Sequence, residues 1–505
     1  MTTTETEMEP FHLITRSKLR PNCLNFWEIL AQSVALISPT MTAALIVPLM
    51  FGTAGEWGWL CYAFGTVMLF FVAMNLNQFA KRSTSAGSMY DYSVRGLGKI
   101  GGGIGGWCLI WAYLFIGIAG VSGFTHFAKI LLGLVGVPDV PVLSIGLFAA
   151  CVFIAWFMSF KDVQLSAVMM LIMEAVSVSL VLILMAIVCS HTGVVDTAQF
   201  HFSGISLSIV GLGVVVAVFS GVGFEAATAF GEEAKNPLKT IPRAVYASLI
   251  ATGLFFVVIT YLETLALKGH NPTLDNLIAP LNTLSDMFHL PWMGVLISAG
   301  AMISFFALAL SCMNSGARII FSMGRSGIFH MAAATSHHKN LTPHIALTVM
   351  ALLQFVIPSF GILASAVNLT TTGSGTFHME VIDAFNWAGT FGAFGFCGAY
   401  FVISIAAPVY LKRIGELKPM NVVISVLAVL LLLVPAIGTV YPEPSPPFNY
   451  FSYIFGAYVL VGIIWIAFFR RAKFPHLKAL VEPALIRHEP AGAEMGTTAD
   501  RTAMV

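Results

Sequence analysis

The residues best suited to chemistry lie in the middle of an apolar segment, 208–230. That segment contains the run Phe219, Ser220, Gly221, Val222, Gly223, Phe224 and Glu225. Glycine weakens a helix, and an ionisable group in hydrocarbon costs roughly 2.5 to 3.5 kcal/mol on insertion scales. Both features are typical of backbone that lines a protein cavity or water. We therefore expect a broken helix at a solute-binding site.

A second interruption lies in an earlier apolar segment, 26–52. Its centre reads Ile37, Ser38, Pro39, Thr40, Met41, Thr42, Ala43 and Ala44. Pro39 has no amide hydrogen, so a carbonyl near Ala35 loses its helical partner. Interruptions at matching places in two halves of a chain are the best sequence indication of a transporter site.

The whole composition is that of a protein that crosses a membrane many times. Of its 505 residues, 57% are hydrophobic and only 10% are charged, and the mean hydropathy is +0.86. These values lie far from those of soluble domains. Runs of roughly 20 apolar residues predict twelve spans, numbered 1 to 12 in chain order: 26–52, 57–80, 101–134, 141–160, 163–190, 207–231, 241–267, 289–320, 343–366, 380–410, 421–441 and 450–469.

Positive charges predict the orientation of these spans. With the amino terminus inside the cell, nearly all lysines and arginines fall in cytoplasmic loops, and Lys129 and Lys268 are the exceptions. We therefore expect a multi-pass protein of the plasma or inner membrane with both termini in the cytoplasm. A net charge of +1 gives no reason to expect a nucleic-acid partner. The cysteines are scattered singly, so the sequence predicts no metal site.

The first ten spans divide into two sets of five, and the second set crosses the membrane in the opposite direction. Such inverted repeats build many secondary transporters. The predicted organisation is a cytoplasmic tail, two inverted halves, a pair of extra spans and a disordered cytoplasmic tail, with the boundaries 1–25, 26–200, 201–415, 416–470 and 471–505. The extra spans 11 and 12 are expected to be scaffold or the contact of a homo-oligomer.

Polar loops follow span 2 and span 7, at 82–99 and 271–287, in corresponding places of the two halves. Each is expected either to form a short helix that gates one entrance or to be a plain connector.

Two carboxyl groups inside spans are candidates for coupling transport to an ion. Glu225 either accepts hydrogen bonds from groups exposed by the breaks or carries a coupling proton. Glu174, in the middle of span 5 with Ser177 one turn later, is either a proton site or the partner of a polar neighbour. We expect no cofactor, only a transported proton. Sodium held by hydroxyls of span 8 (Ser304, Ser311 and Ser315) is the alternative.

Several motifs resemble those of the amino acid, polyamine and organocation (APC) superfamily of permeases. The strongest runs from Gly223-Phe224-Glu225 to Gly231-Glu232-Glu233-Ala234-Lys235-Asn236-Pro237. Ser85 to Tyr92 after span 2 and Ala317 to Arg325 with Thr342-Pro343 after span 8 are also similar. The resemblance frames residues 26–410. It implies the leucine-transporter-like fold, in which the solute lies between the broken helices 1 and 6.

The resemblance also implies roles for individual residues. The substrate carboxylate would meet amides from Met41 to Ala44 and the Thr42 hydroxyl, and its ammonium group would meet carbonyls near Ser38 and from Phe219 to Gly221. Phe219 resembles the family's aromatic lid, and Ser220 and Val222 resemble pocket-lining positions. Phe115 and Gly117 of span 3 are expected on the opposite wall. The competing interpretation is that Thr40 and Thr42 bond back to their own helix and that Phe219 only packs.

Span 1 departs from the family pattern, since Pro39 to Ala44 stand where most amino acid permeases have glycines. The predicted function is secondary active uptake of an amino acid by alternating access, coupled to protons. The alternatives are a polyamine, ethanolamine or other amine permease, an amino acid antiporter, and a sensor that binds amino acids without moving them. The spans lack the motifs of a membrane-embedded enzyme, so we expect no catalytic residues.

Overall fold

The structure is a computed structural model that describes residues 18–201, 205–267, 279–366, 370–371, 375–376, 379–441, 444 and 446–469. The described residues are helical almost throughout, which confirms the predicted all-α membrane fold. The exception is a two-stranded antiparallel pair, Thr370–Thr371 with Gly375–Thr376, between spans 9 and 10. Residues 1–17 of the predicted tail 1–25, the whole predicted tail 471–505 and the first part of the loop after span 7, 271–278, lie outside the described residues.

Eleven helical stretches among the described residues are long and apolar enough to cross a membrane. The first, Phe26–Ala80, has 55 residues and takes in the predicted spans 1 and 2. A 3₁₀ turn at Gly55–Trp57 divides it, so the count of twelve crossings remains a prediction.

The spans have defined bounds in the structure. Span 1 comprises Phe26–Ile37, Pro39–Met41, a π-helical turn Thr42–Ile46 and Val47–Ala54. Span 6 comprises Leu207–Gly221 and a 3₁₀ segment, Phe224–Phe230. The others, from span 2 onward, are Gly58–Ala80, Ser88–Leu134, Pro141–Lys161, Val163–Thr192, Pro237–Leu267, Pro291–Arg325, His344–Ala366, Val381–Arg413, Pro419–Gly438 and Phe451–Phe469.

Local sequence explains where many helices begin. Among the described residues, proline occupies the first position of six of them, where its missing amide hydrogen costs nothing: Pro39, Pro141, Pro237, Pro280, Pro291 and Pro419. Span 1 begins instead with a capping box. In it the Asn25 side chain accepts the Glu28 amide at 3.1 Å, and the Glu28 side chain accepts the Asn25 amide at 2.7 Å.

Both predicted loop helices are present. The first begins at Ser88 and runs into span 3 through a kink at Gly98, whose φ of 76° interrupts the helical backbone. The second is Pro280–Met287, between spans 7 and 8. Their corresponding places agree with an inverted repeat, which remains a prediction, as does their gating role.

Burial separates central spans from peripheral ones. The most apolar windows of span 3 and of the stretch containing spans 1 and 2 are each 78% buried inside the protein. Those of spans 11 and 12 are 28% and 17% buried. The last two spans are therefore peripheral, and their exposed apolar faces suit contact with lipid.

Candidate functional site

The break in span 1 is a sharp turn at Ser38. Ser38 adopts a left-handed conformation (φ 50°, ψ 73°), which is rare for a residue other than glycine. Its amide donates to the Val34 carbonyl at 2.9 Å and ends the first half of the helix. Pro39 has no amide to offer the next carbonyl, so the predicted loss of helical pairing occurs here. The π-helical turn Thr42–Ile46 follows directly, and such turns are frequent at functional sites.

The break in span 6 lies at Val222 and Gly223. Val222 is extended (φ -67°, ψ 150°). Gly223 has a φ of 112°, a value that favours glycine. A Cβ added at Gly223 would lie 2.2 Å from the Leu36 Cδ2 atom. The two broken helices therefore touch at this glycine, next to the turn at Ser38.

Ser33 fastens the two broken helices together. Its hydroxyl donates to the Phe224 carbonyl at 2.8 Å and accepts the Ala227 amide at 3.0 Å. Both groups belong to the 3₁₀ segment of span 6, whose backbone is not fully paired within itself. The first half of span 1 and the second half of span 6 thus form one hydrogen-bonded unit.

Glu225 lies fully buried beside the break, with donors on both oxygens. Tyr113 of span 3 donates to Oε1 at 3.1 Å, and Tyr400 of span 10 donates to Oε2 at 2.6 Å. The Gly223 amide also donates to Oε2, at 3.1 Å. This carboxylate therefore joins spans 3, 6 and 10, and the geometry matches the acceptor role that the sequence allowed.

Glu174 lies on the other side of span 1, in a cluster of hydroxyl groups. Ser304 of span 8 donates to Glu174 Oε1 at 2.8 Å and is hydrogen-bonded to the Ser38 hydroxyl at 3.0 Å. Thr40 donates to Ser177 at 3.0 Å, and Ser177 donates to the Glu174 carbonyl at 3.2 Å. Glu174 Oε2 is buried and has no partner among the described residues. The carboxyl is therefore connected through hydroxyls to the turn in span 1.

Among the described residues, the Thr42 hydroxyl differs from the Ser38 and Thr40 hydroxyls of the span 1 break in having no partner. It is completely buried and has no hydrogen bond among the described residues, so it does not bond back to its own helix. Met41, Ala43 and Ala44 are buried around it. A buried hydroxyl is normally paired, so an unpaired one next to a helix break is suited to a ligand.

Phe219 and Ser220 point to different neighbours. The Phe219 ring lies against Gly389 of span 10, where an added Cβ would be 2.5 Å from its Cζ atom. The Ser220 hydroxyl is bonded to the Tyr62 hydroxyl of span 2 at 2.9 Å. Gly221 packs against the Leu69 side chain. Ser220 and Gly221 thus contact span 2, whereas Phe219 contacts span 10.

A cavity of about 930 Å³ lies between spans 1, 6, 10, 11 and 12. Phe219, Leu45, Pro48 and Asn386 are among its lining residues. It occupies the half of these spans that the charge pattern places toward the outside. Phe219 belongs to its wall, and Thr42 lies one helical turn before Leu45. Phe219 therefore lines the cavity three residues before the span 6 break, and its role as a lid remains a prediction.

The two predicted wall residues of span 3 have other neighbours. The Phe115 ring packs on Phe391 of span 10, with the ring centroids 5.1 Å apart. A Cβ added to Gly117 would lie 2.0 Å from the Gln354 amide nitrogen of span 9. Tyr113, not predicted from the sequence, is the span 3 residue that contacts the span 6 break. Its residue type gave no signal, since tyrosines and phenylalanines are abundant along the chain.

On the face opposite the cavity, residues of the motif that follows span 6 make contacts that close the protein. Arg318 of span 8 donates to both oxygens of Glu233, at 2.6 and 2.9 Å, and these side chains are 1% and 0% exposed. Its guanidinium also lies 4.1 Å from the centroid of the Phe230 ring. Arg325 pairs with Glu232 at 2.5 Å.

The chain segment before span 1 is hydrogen-bonded to the same motif. The amides of Cys23 and Leu24 donate to the Glu233 carbonyl at 2.9 and 3.0 Å, and the Lys235 amide donates to the Leu24 carbonyl at 2.7 Å. The Gly231 amide donates to the Ser85 carbonyl at 3.0 Å, which brings in the loop after span 2. We call this set of contacts the inner lock. It closes the face that the charge pattern places in the cytoplasm.

Comparison with known proteins finds relatives along most of the chain. Residues 29–479 match the family described as Amino acid permease. The chain is 23% identical over 340 residues to the Branched-chain amino acid permease BcaP of Bacillus subtilis, covering 63% of this chain and 71% of that protein. It is 24% identical over 338 residues to the Low-affinity putrescine importer PlaP of Escherichia coli, covering 64% and 72%.

A further relative is matched over a shorter region. The chain is 29% identical over 181 residues to the Cationic amino acid transporter 4 of Homo sapiens, covering 35% of this chain and only 27% of that protein. These relatives are permeases, importers and transporters. Because the family match extends over nearly the whole chain, this multi-pass membrane protein belongs to the amino acid permease family of the APC superfamily and is a transporter of amino acids or amines, not an enzyme.

Proposed function

We propose that the protein takes up an amino acid with an uncharged, apolar side chain, coupled to protons, by alternating access across the cell membrane. The observation that carries the proposal is the contact of two broken helices at Leu36 and Gly223, together with a buried Thr42 hydroxyl that has no partner among the described residues. Half-helix ends at such a junction offer amides to a carboxylate and carbonyls to an ammonium group. The substrate backbone is then bound without any charged side chain.

The charge distribution favours an amino acid over a polyamine or ethanolamine. A dication requires acidic walls, but the described residues that line the cavity include no charged side chain. Glu225, the carboxylate nearest the span 6 break, is already bound by Tyr113, Tyr400 and the Gly223 amide. It is therefore not free to pair with an amine. The many apolar lining residues favour an apolar side chain.

Alternating access is supported by the difference between the two faces. The cavity is on the predicted outer side, whereas the inner lock closes the predicted cytoplasmic side with a buried ion pair. This combination suits a conformation that loads substrate from outside. Release would then require the Arg318 and Glu233 contact to open.

Proton coupling is assigned to Glu174. One of its oxygens is bound by Ser304, which also contacts the Ser38 hydroxyl, while the other oxygen has no partner among the described residues. Protonation at Glu174 can therefore change the contacts that hold the turn in span 1. Glu225 lacks such a free oxygen, so we assign it a positioning role.

Uptake into proteoliposomes tests the proposed function. Labelled leucine is offered under an imposed proton or sodium gradient, with alanine, putrescine and ethanolamine as competitors. We expect proton-driven accumulation of leucine that apolar amino acids reduce and putrescine does not. Preferential transport of putrescine or ethanolamine would identify an amine permease, sodium dependence would refute the proton assignment, and binding without uptake would indicate a sensor.

A matched pair of threonine variants tests the site. Thr42→Val removes this hydroxyl, which has no partner among the described residues, with little change in volume. We expect a fall in leucine affinity of about tenfold or more, as for loss of one hydrogen bond to a charged group. Thr53→Val is the control, because Thr53 lines the cavity and its hydroxyl is already paired, donating to the carbonyl of Leu49 in its own helix at 2.7 Å. If the two variants bind leucine with equal affinity, Thr42 does not belong to the substrate site.

A further inference from the structure

Three carboxyl groups inside the spans differ in how many of their oxygens are bound. Both oxygens of Glu225 accept hydrogen bonds, and one oxygen of Glu174 does. Neither oxygen of Glu263, on span 7, has a partner among the described residues. Glu263 is also 0% exposed. Glu263 is part of neither the Glu174 cluster nor the inner lock.

Two hydroxyl-bearing residues, Thr260 and Tyr62, lie near Glu263. The Thr260 hydroxyl, one turn earlier on span 7, is buried and also has no partner in the described part of the chain. Thr260 packs beside Gly58 at the start of span 2, where its Cγ2 atom would lie 3.1 Å from an added Cβ. The phenol of Tyr62 on span 2 lies close enough to Glu263 for an electrostatic interaction.

No opposite charge within the described parts of the chain is available to Glu263. Tyr62 is the titratable group that faces it from span 2. Spans 1, 5 and 6 also pack on span 7. Among their described residues, no charged or titratable side chain interacts electrostatically with Glu263. An ionised carboxylate without donors or a counter-charge is very unfavourable in such a place. Among the described residues nothing therefore stabilises the ionised form, and this environment favours the neutral acid.

Tyr62 connects this acid to the break in span 6. Its hydroxyl is bonded to Ser220 at 2.9 Å, two residues before Val222, where the helix gives way to extended backbone. Its ring also packs on Phe256 of span 7, with the centroids 5.4 Å apart. A movement of the broken helix that shifts Ser220 is thus transmitted to Tyr62 and to the surroundings of Glu263.

From this arrangement we propose that Glu263 is a second proton-binding site, which holds a proton in the conformation with the inner lock closed and releases it when the span 6 break moves. The inference rests on the proposed function, because it concerns the proton that accompanies the amino acid. The second site is separate from the first, since Glu174 contacts spans 1 and 8 whereas Glu263 lies against span 2.

Infrared spectroscopy of the purified full-length protein at neutral pH tests protonation without any transport. A buried carboxylic acid gives a carbonyl band that an ionised carboxylate lacks. We expect the wild type to show such a band, Glu263→Gln to lose a component of it, and Glu225→Gln to keep that component. Glu263→Met, an apolar side chain of similar length, provides a second variant that need not satisfy a polar group. If both Glu263 variants retain the full band, the proposal is wrong.

Proteoliposomes containing a pH-sensitive dye test the link to transport. Wild type and Glu263→Gln are compared for protons entering per leucine taken up, and we expect the ratio to fall in the variant while leucine still enters. An unchanged ratio overturns the proposal even if the infrared band is lost. If the wild type moves no leucine, the proposed function fails, and the infrared result still decides whether Glu263 holds a proton.

Discussion

At the scale of single residues, Glu225 depends on the hydrogen-bond donors that surround its carboxylate. Tyr400→Phe removes the donor at 2.6 Å from a buried carboxylate. We expect a loss of about 1 to 3 kcal/mol in the free energy of unfolding together with weaker leucine binding, because a buried acceptor loses its partner. Thermal unfolding in detergent provides the measurement.

The control for this variant is Tyr453→Phe. Tyr453 is 74% exposed on span 12. Its substitution should change stability by no more than about 0.5 kcal/mol, as is usual for surface positions. Equal stability of the two variants would contradict the role of Tyr400.

Glu174 differs from Glu225, because one of its carboxyl oxygens has no partner among the described residues. Glu174→Gln keeps a side chain that can still accept the Ser304 hydrogen bond but cannot gain or lose a proton. We expect leucine exchange across the membrane to continue while accumulation driven by a proton gradient is lost. Counterflow and gradient-driven uptake in the same proteoliposomes measure the two activities. Accumulation at the wild-type level would exclude Glu174 as the coupling site.

At the scale of elements, the contact between the broken helices depends on Gly223. Gly223→Ala places a methyl group on a backbone with a φ of 112° and within 2.2 Å of Leu36. We expect a loss of about 1 to 3 kcal/mol in stability, as for other strained backbone positions, and severely reduced uptake. Gly211→Ala is the control on the same helix, because an added Cβ there meets nothing within 4 Å. That variant should be as stable as the wild type or more stable. A Gly223→Ala protein that transports normally would show that the close contact is dispensable.

Sequence reasoning predicted the breaks because proline and glycine act on the backbone locally. Pro39 and Gly223 disturb helices whatever surrounds them. The partners of Glu225 were not predictable in this way, since Tyr113 and Tyr400 lie 112 and 175 residues away along the chain. Nothing in a single sequence distinguishes these two tyrosines from the many aromatic residues that only pack. The same holds for Glu263, which reads as a polar residue near the end of a span.

At the scale of the whole molecule, the two faces of the protein are unequal. One face contains the cavity and the other contains the inner lock. Breaking a buried ion pair by removing one partner typically costs about 3 to 5 kcal/mol. Opening of the lock should therefore be sensitive to Arg318 and insensitive to arginines outside the lock, such as Arg413.

Cys23 is a native thiol whose rate of labelling can report whether the inner lock is open. Its amide donates to Glu233, and burial raises the pKa of its thiol to about 11. Because the thiolate is the reactive form, Cys23 should react slowly with maleimide while the lock is closed. In Arg318→Ala we expect Cys23 labelling to rise about tenfold, which corresponds to a shift of only about 1.4 kcal/mol.

Two further variants complete this labelling experiment. Arg413→Ala, which removes an exposed contact to the Arg95 carbonyl, is the control and should label like the wild type. Cys23→Ser identifies the labelled residue. Unchanged labelling in Arg318→Ala would disprove the lock.

The inner lock also bears on how the protein is made. The segment before span 1 is synthesised first, yet its backbone partners, Glu233 and Lys235, follow span 6, and Arg318 lies near the end of span 8. The backbone of Cys23 and Leu24 therefore lacks these partners while the first five spans are inserted into the membrane. The lock can close only after span 8 has left the ribosome. Completion of the transport site is thus a late event in biogenesis, and a nascent chain that stops before Arg318 leaves Glu233 without its buried counter-charge.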